Sequence, residues 1–244
     1  MRQADQRIAE LVQAGEIRVG LFLPQYVNDP VSGEIQGLGT GFIALELTRI
    51  LAARLGIAAR AIEYPSPKEA IAGLQSGTCD TVFLGMEPSR AVEVDFAPPI
   101  FEFDYTYLVP AGSRIQYIAD ADRRGIRIGL VESHASALAL RRLVTRAEFV
   151  GVELPDEAVD LIKYDKADLL AFPRDHLIIF AEKLPGSRVL TDRYGVNRVA
   201  MAVRKGRAGW LAYASEFSQE AKASGLVRAA IEHGALRGFE VAAP

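Results

Sequence analysis

Arg90 follows the apolar run Val82–Leu84 across a short Gly85-Met86-Glu87-Pro88-Ser89 link. Its planar guanidinium fork suits a carboxylate. A short continuous run of this kind predicts a parallel strand buried on both faces. Ligands of open parallel sheets collect just outside the carboxyl ends of such strands. The placement therefore points to capture of a small anion; the plainer alternative is a solvated helix arginine paired with Glu87 or Glu93. Glu87 before Pro88 reads most simply as an N-cap with proline at the first helical position, ahead of the alternative that it binds a ligand cation. A second anion-binding point is predicted where Ser133, His134, Ala135 and Ser136 follow an apolar strand and open a helix. His134 can donate there, and its charge would make binding pH-dependent, since imidazole titrates near about 6.5. The plainer alternative is a capping serine beside an exposed histidine.

The elements that must hold these groups read as alternating strands and helices. Residues 17–23 predict a first strand ending at Pro24, and NDPVSGE within the loop 24–41 predicts a tight reversal. Residues 42–55 carry Phe42, Leu45, Ile50, Leu51 and Leu55 at helical spacing and close on Gly56. Residues 58–63 predict a strand, Ser66-Pro67 opens the next helix, and Gly77 caps it. A second cycle predicts a strand at 126–131, a helix at 134–146, a strand at 168–172 and a helix at 175–183. LPGSRVL marks a turn into a strand; NRVAMAV then leads to helices near 207–223 and 226–233. Successive strand–helix–strand units give parallel sheets with right-handed crossovers. The expected partition is a discontinuous first lobe, 1–108 plus 197–244, around a second lobe at 109–196. No repeat of short period is evident.

Bulk properties narrow the function. The 244 residues suffice for two lobes with separate cores, and a net charge of −3 gives no basic field for nucleic acid. The single cysteine, Cys79, excludes an internal disulfide or a multi-cysteine metal site and predicts a small packed hydrophobe. No stretch approaches the roughly 18 apolar residues of a membrane span. The Gly39-Thr40-Gly41 loop lacks the lysine of a P-loop and the GxGxxG order of a dinucleotide site, so no cofactor is expected. No G-x-S-x-G elbow or H-E-x-x-H pair supports catalysis. Residues 1–14 are polar and helix-prone, without the apolar core of a signal peptide.

The order L-Q-S-G-x-x-D, an apolar strand, G-M, P-x-R-A and V-D-F-A-P-P resembles bacterial solute-binding protein family 3, the amino-acid-type binding proteins of ABC importers. IRVGLFLP at 17–24, ELTRILAARLG at 46–56, RIGLVESHAS at 127–136 and AVRKG at 202–206 extend the resemblance from Gly15 onward. It implies a two-lobed α/β fold, the type II periplasmic binding fold, closing on a small carboxylate-bearing ligand. It further implies a monomer that works with an ABC permease in the periplasm, although the polar N-terminus is equally compatible with the cytoplasm. Arg90 matches the family arginine that clamps the ligand carboxylate, but the link from Asp80 to Arg90 is about two residues shorter than the family pattern. Tyr26 matches an aromatic cover over the ligand, with a plain surface aromatic as the equal alternative, and the backbone at Gly85 and Met86 is expected to contact the ligand. Ser133 and His134 replace the family's Gly-Ser/Thr pair. Pro173 falls where family members that bind amino acids carry an acidic partner for the ammonium, five residues after Asp168. Asp175 is placed to compensate or to cap a helix, and Arg174 would add a second positive group. This pattern favours an organic acid, or a dicarboxylate held between two basic groups, over an ordinary L-α-amino acid. His176, Arg141 and Arg142 read as surface residues and His233 as unpartnered. A dehydratase of cyclic carboxylic acids, or a ligand-sensing module, is the alternative on the same fold.

Overall fold

The computed structural model describes residues 6–132 and 134–243. The chain forms two compact units, one of residues 1–102, 198–236 and 240–244, the other of residues 103–197 and 237–239. The first crossing falls at 102–103 and not after 108, because Tyr105–Leu108 pair antiparallel with Pro173–Leu170 and join the second unit.

In the first unit a 3-10 turn, Gln6–Ile8, leads into α1, Ala9–Ala14, which Gly15 closes in the left-handed region. The strand β1, Glu16–Phe22, pairs parallel with β4, Ala58–Tyr64, and with β5, Thr81–Gly85. Between β1 and β4 come the short strands β2, Tyr26–Asn28, and β3, Ile35–Gly37, and the helix α2, Thr40–Leu55. The predicted reversal at NDPVSGE is this β2–β3 hairpin. Asp29 organises it, accepting the N–H groups of Val31 and Ser32 at 2.9 and 2.8 Å and the Gln36 amide at 3.1 Å. Those two backbone donors hold its carboxyl below the usual range.

The helix α3, Pro67–Ser76, starts on proline and stops at Gly77 (φ 80°), as its sequence punctuation requires. A four-residue helix, α4, Pro88–Ala91, and β6, Val94–Phe96, follow β5. Ile71, Leu74, Cys79, Val82 and Leu84 pack together as one face of the core, so Cys79 is the small hydrophobe expected. Burial pushes its thiol pKa up.

The second unit begins within β7, Phe101–Val109, and its sheet runs β7, β10, β8, β9. It comprises β8, Arg127–Val131; α5, Ala135–Arg141; β9, Glu148–Val152; α6, Pro155–Lys163; β10, Leu169–Pro173; α7, Arg174–Glu182; and β11, Arg188–Val189. The strands β8, β9 and β10 are mutually parallel and β7 is antiparallel to β10. Two apolar clusters cover the two faces, one around Tyr107, Ile128 and Leu140, the other around Leu161, Leu170 and Phe180. The helix expected over 134–146 stops at Arg141, because the Asp122 carboxylate captures the N–H groups of Thr145, Arg146 and Ala147 at 3.1, 2.6 and 3.1 Å.

The chain returns through β12, Gly195–Arg204, whose later residues pair antiparallel with β5 and β6 of the first unit. It ends in α8, Ala208–Ala223, α9, Leu226–His233, and β13, Phe239–Val241. Each unit carries the same clasp between its parallel strands. Arg18 donates its backbone N–H and Nε to Asp80 Oδ2 at 2.8 and 2.9 Å and its Nη2 to Oδ1 at 2.8 Å, while the Asp80 N–H returns to the Arg18 carbonyl at 2.8 Å. Arg127 and Asp168 repeat all four bonds at 2.7, 3.2, 2.8 and 2.8 Å.

Candidate functional site

In the first unit the site residues gather where β5 runs into α4. Val82, Phe83 and Leu84 are fully buried and fix the strand, so its carboxyl end is a rigid platform. Glu87 holds the N-cap position in extended backbone (φ −108°, ψ 138°), and its carbonyl accepts the N–H groups of Arg90 and Ala91 at 3.0 and 3.1 Å. The expected side-chain cap is not made: the Glu87 carboxylate bonds none of the helix N–H groups. Arg90 is partly buried and its Nη1 donates to the Gly85 carbonyl at 3.0 Å. The guanidinium is thereby tethered to the end of the strand that carries it. Gly85 itself lies opposite Val199 in the β5–β12 ladder. The Met86 N–H does not face outward for a ligand; it donates to the Arg198 carbonyl at 2.8 Å, and the Met86 side chain is exposed.

Tyr26 lies past the carboxyl end of β1, opposite Gly37 in the hairpin, and is 9% exposed. Burial, with a smaller contribution from the Glu63 charge, pushes its phenol pKa up. The segment that carries it is packed too tightly for side chains at two glycines. A Cβ on Gly41 would overlap the Gln25 carbonyl oxygen, and one on Gly37 would overlap the Gly41 backbone.

In the second unit Ser133 lies outside the described residues. His134 takes the N-cap of α5, where its Nδ1 accepts the Ser136 N–H at 3.1 Å and lies 2.7 Å from the Ser136 hydroxyl. The imidazole, and not a serine hydroxyl, is therefore the cap. Ala135 is the first helical residue and partly buried. The His134 ring packs on Phe172 at 4.6 Å between centroids, and His176 packs on the same Phe172 at 5.1 Å.

Arg174 does not supply the free positive group expected of it. Its Nε donates to Asp104 Oδ2 at 3.2 Å, Nη1 to the Leu190 carbonyl at 2.6 Å, and Nη2 to the Thr191 and Asp192 carbonyls at 3.0 and 3.2 Å. Arg193 joins the same Asp104 carboxylate at 2.8 Å. Pro173 ends β10, so no side-chain charge stands there. Asp175 has one oxygen 3.1 Å from His176 Nδ1 and the other buried without a hydrogen bond. His233, read as unpartnered, lies 3.4 Å from Glu46 and edge-on to Phe42. Arg141 reaches back to Glu132 at 2.6 Å and covers the Phe149 ring.

Asp104 and Phe172 were missed as organising residues. Asp104 had a readable signal, a carboxylate set within the apolar run F-E-F-D-Y-T-Y-L-V. The partners that make it important have none, since they lie about seventy or more residues away in sequence.

These features sit on a two-lobed α/β fold of the type II periplasmic binding class. The chain belongs to the bacterial extracellular solute-binding proteins, family 3, whose model matches residues 25–233. Solved structures share the fold. A putative ABC-transporter binding component from Wolinella succinogenes, complexed with lysine, is 22% identical with a TM-score of 0.74, over 90% of this chain and 95% of that one. A solute receptor for L-cysteine from Neisseria gonorrhoeae is 22% identical with a TM-score of 0.69, over 95% and 94%. An ancestral amino acid-binding protein described as a precursor of cyclohexadienyl dehydratase is also 22% identical with a TM-score of 0.69, over 93% and 98%. No curated protein matches. Among the described residues no helix is long and apolar enough to cross a membrane.

Proposed function

We propose that this solute-binding protein captures a small carboxylate of the amino-acid type for an ABC importer, outside the cytoplasmic membrane, and that it acts as a monomer without catalysis. The observation that carries the reading is Arg90 at the carboxyl end of β5, tethered to Gly85 in a posture that keeps its charge at the strand end. Tyr26 and the start of α5 at His134 and Ala135 supply further ligand contacts. The neighbours complexed with lysine or described as receptors for L-cysteine support the amino-acid class. Arg174 is left out of the binding set because its donors already serve Asp104 and three carbonyls.

A thermal-shift screen over the standard L-amino acids and simple organic acids, followed by calorimetry of the hits, tests this. Saturable binding of a carboxylate is expected, and no response to any of them contradicts it. The ancestral neighbour described as a dehydratase precursor motivates one control. Incubation with prephenate and arogenate should give no absorbing product; turnover would replace the binding reading with an enzymatic one.

A further inference from the structure

Among the described residues a cavity of about 260 Å³ opens in the first unit at the amino ends of β1 and β5, the end of β5 opposite Arg90. Arg7, Arg18, Arg204 and Arg207 line it against two carboxylates, Glu10 and Asp80. Ile8, Leu74 and Trp210, all buried, add an apolar wall.

The charges of this lining do not balance. Asp80 is saturated by Arg18, whose backbone N–H and Nε reach Oδ2 at 2.8 and 2.9 Å and whose Nη2 reaches Oδ1 at 2.8 Å. Glu10 accepts one Nη2 of Arg207, which leaves most of the five N–H donors of that guanidinium unspent on it. Arg7 binds Glu216, a residue outside the lining. No carboxylate among the described residues pairs with Arg204, whose Nη1 lies 4.0 Å from the point a Cβ on Gly77 would occupy. The turn that brings Arg204 and Arg207 together is fixed. The Arg207 N–H donates to the Arg204 carbonyl at 3.3 Å, and Gly206, at φ 80°, donates its N–H to Asp95 at 2.9 Å. Lys205 is drawn away, its Nζ donating to the Ala91 and Val92 carbonyls at 3.0 and 2.9 Å.

We propose that this cavity is a second binding site, for a phosphate dianion, separate from the carboxylate site at Arg90. Planar guanidinium forks from β1, from the end of β12 and from the start of α8 suit the several equivalent oxygens of a phosphate group. Two negative charges match the excess of guanidiniums over carboxylates in the lining, and the apolar wall suits the organic part of a monoester.

Trp210 is the chain's single tryptophan, so its fluorescence reports on this cavity. The test titrates the full chain with inorganic phosphate and with propyl phosphate at about pH 8, where a phosphate monoester is dianionic, with chloride holding the ionic strength constant. Both should give saturable changes, and the tighter of the two assigns the source as free phosphate or an ester. Arg204→Gln should weaken both by about tenfold or more while leaving carboxylate binding, followed by calorimetry, within about twofold. Arg204→Lys, which keeps the charge and loses the fork, should fall between. Arg207→Gln should also weaken phosphate, and Arg90→Ala should not. Unfolding midpoints measured in chloride identify the folded variants. No saturation by either phosphate would overturn the site. So would wild-type phosphate affinity in a folded Arg204→Gln, or a loss in Arg90→Ala instead.

Discussion

Arg127 closes on Asp168 with the same three donors with which Arg18 closes on Asp80. In each unit the pair joins the start of one parallel strand to the residue before its neighbour, and so fixes the register on which the strand ends depend. The Arg127 side chain holds the Asp168 carboxyl below its usual 3.8, helped by the Arg127 backbone N–H and opposed by partial burial. A carboxyl lowered in the folded state stabilises the fold fully above its unfolded value, and that stability is lost as pH falls through the lowered folded value. Stability to urea should therefore drop below about pH 4, and Asp168→Asn should flatten that drop while costing about 1 kcal/mol at neutral pH. An unchanged acid limb in Asp168→Asn would count against the clasp.

Asp104 gathers two arginines onto one carboxylate that is 19% exposed. Asp104→Asn should lower the stability of the second unit by about 1–3 kcal/mol, measured by urea unfolding. Arg174→Lys should cost nearly as much. A single ammonium cannot span the Asp104 carboxylate and the Leu190, Thr191 and Asp192 carbonyls together. Wild-type stability in Arg174→Lys would mean that these bonds contribute nothing.

Gly41 is the second residue of α2, and its Cα faces the Gln25 carbonyl, which also accepts the Leu38 N–H at 2.7 Å. Because the obstacle is backbone and not a flexible side chain, Gly41→Ala should cost about 2 kcal/mol and lower the unfolding midpoint by roughly 4–8 °C. It should also weaken ligand binding, since the displaced segment carries Tyr26. A midpoint equal to wild type would show that the segment yields freely.

Much of the scaffold was legible because its signals are local. Ser66-Pro67 and Gly77 bracket α3, and Val82–Leu84 read directly as a buried strand. The segment β9 and α6 was passed over, although E-F-V-G-V is a strand-like run and L-P-D-E carries a proline start with Glu157 returning to the Leu154 N–H at 3.1 Å. The duplicated clasp was also readable, as I-R-V-G-L at 17–21 and I-R-I-G-L at 126–130, but the two copies lie too far apart to register as a short repeat. Both glycines have a cause in packing: a Cβ on Gly20 would press on Tyr64 and Val82, and one on Gly129 on Leu170 and Leu161.

The site was legible in part for the same reason. Arg90 announces itself by residue type after a strand. The commitments of Arg174 depend on which carbonyls and carboxylates tertiary pairing brings near. Helix ends set by distant side chains, such as Asp122 at the end of α5, escape local pattern for that reason.

The carboxylate clamp is tested most directly by titrating Arg90→Ala in a calorimeter with the tightest carboxylate found for the wild type, alongside a thermal-unfolding control. The expected result is a folded protein whose binding heat has vanished. A folded Arg90→Ala that binds with wild-type affinity would contradict the account.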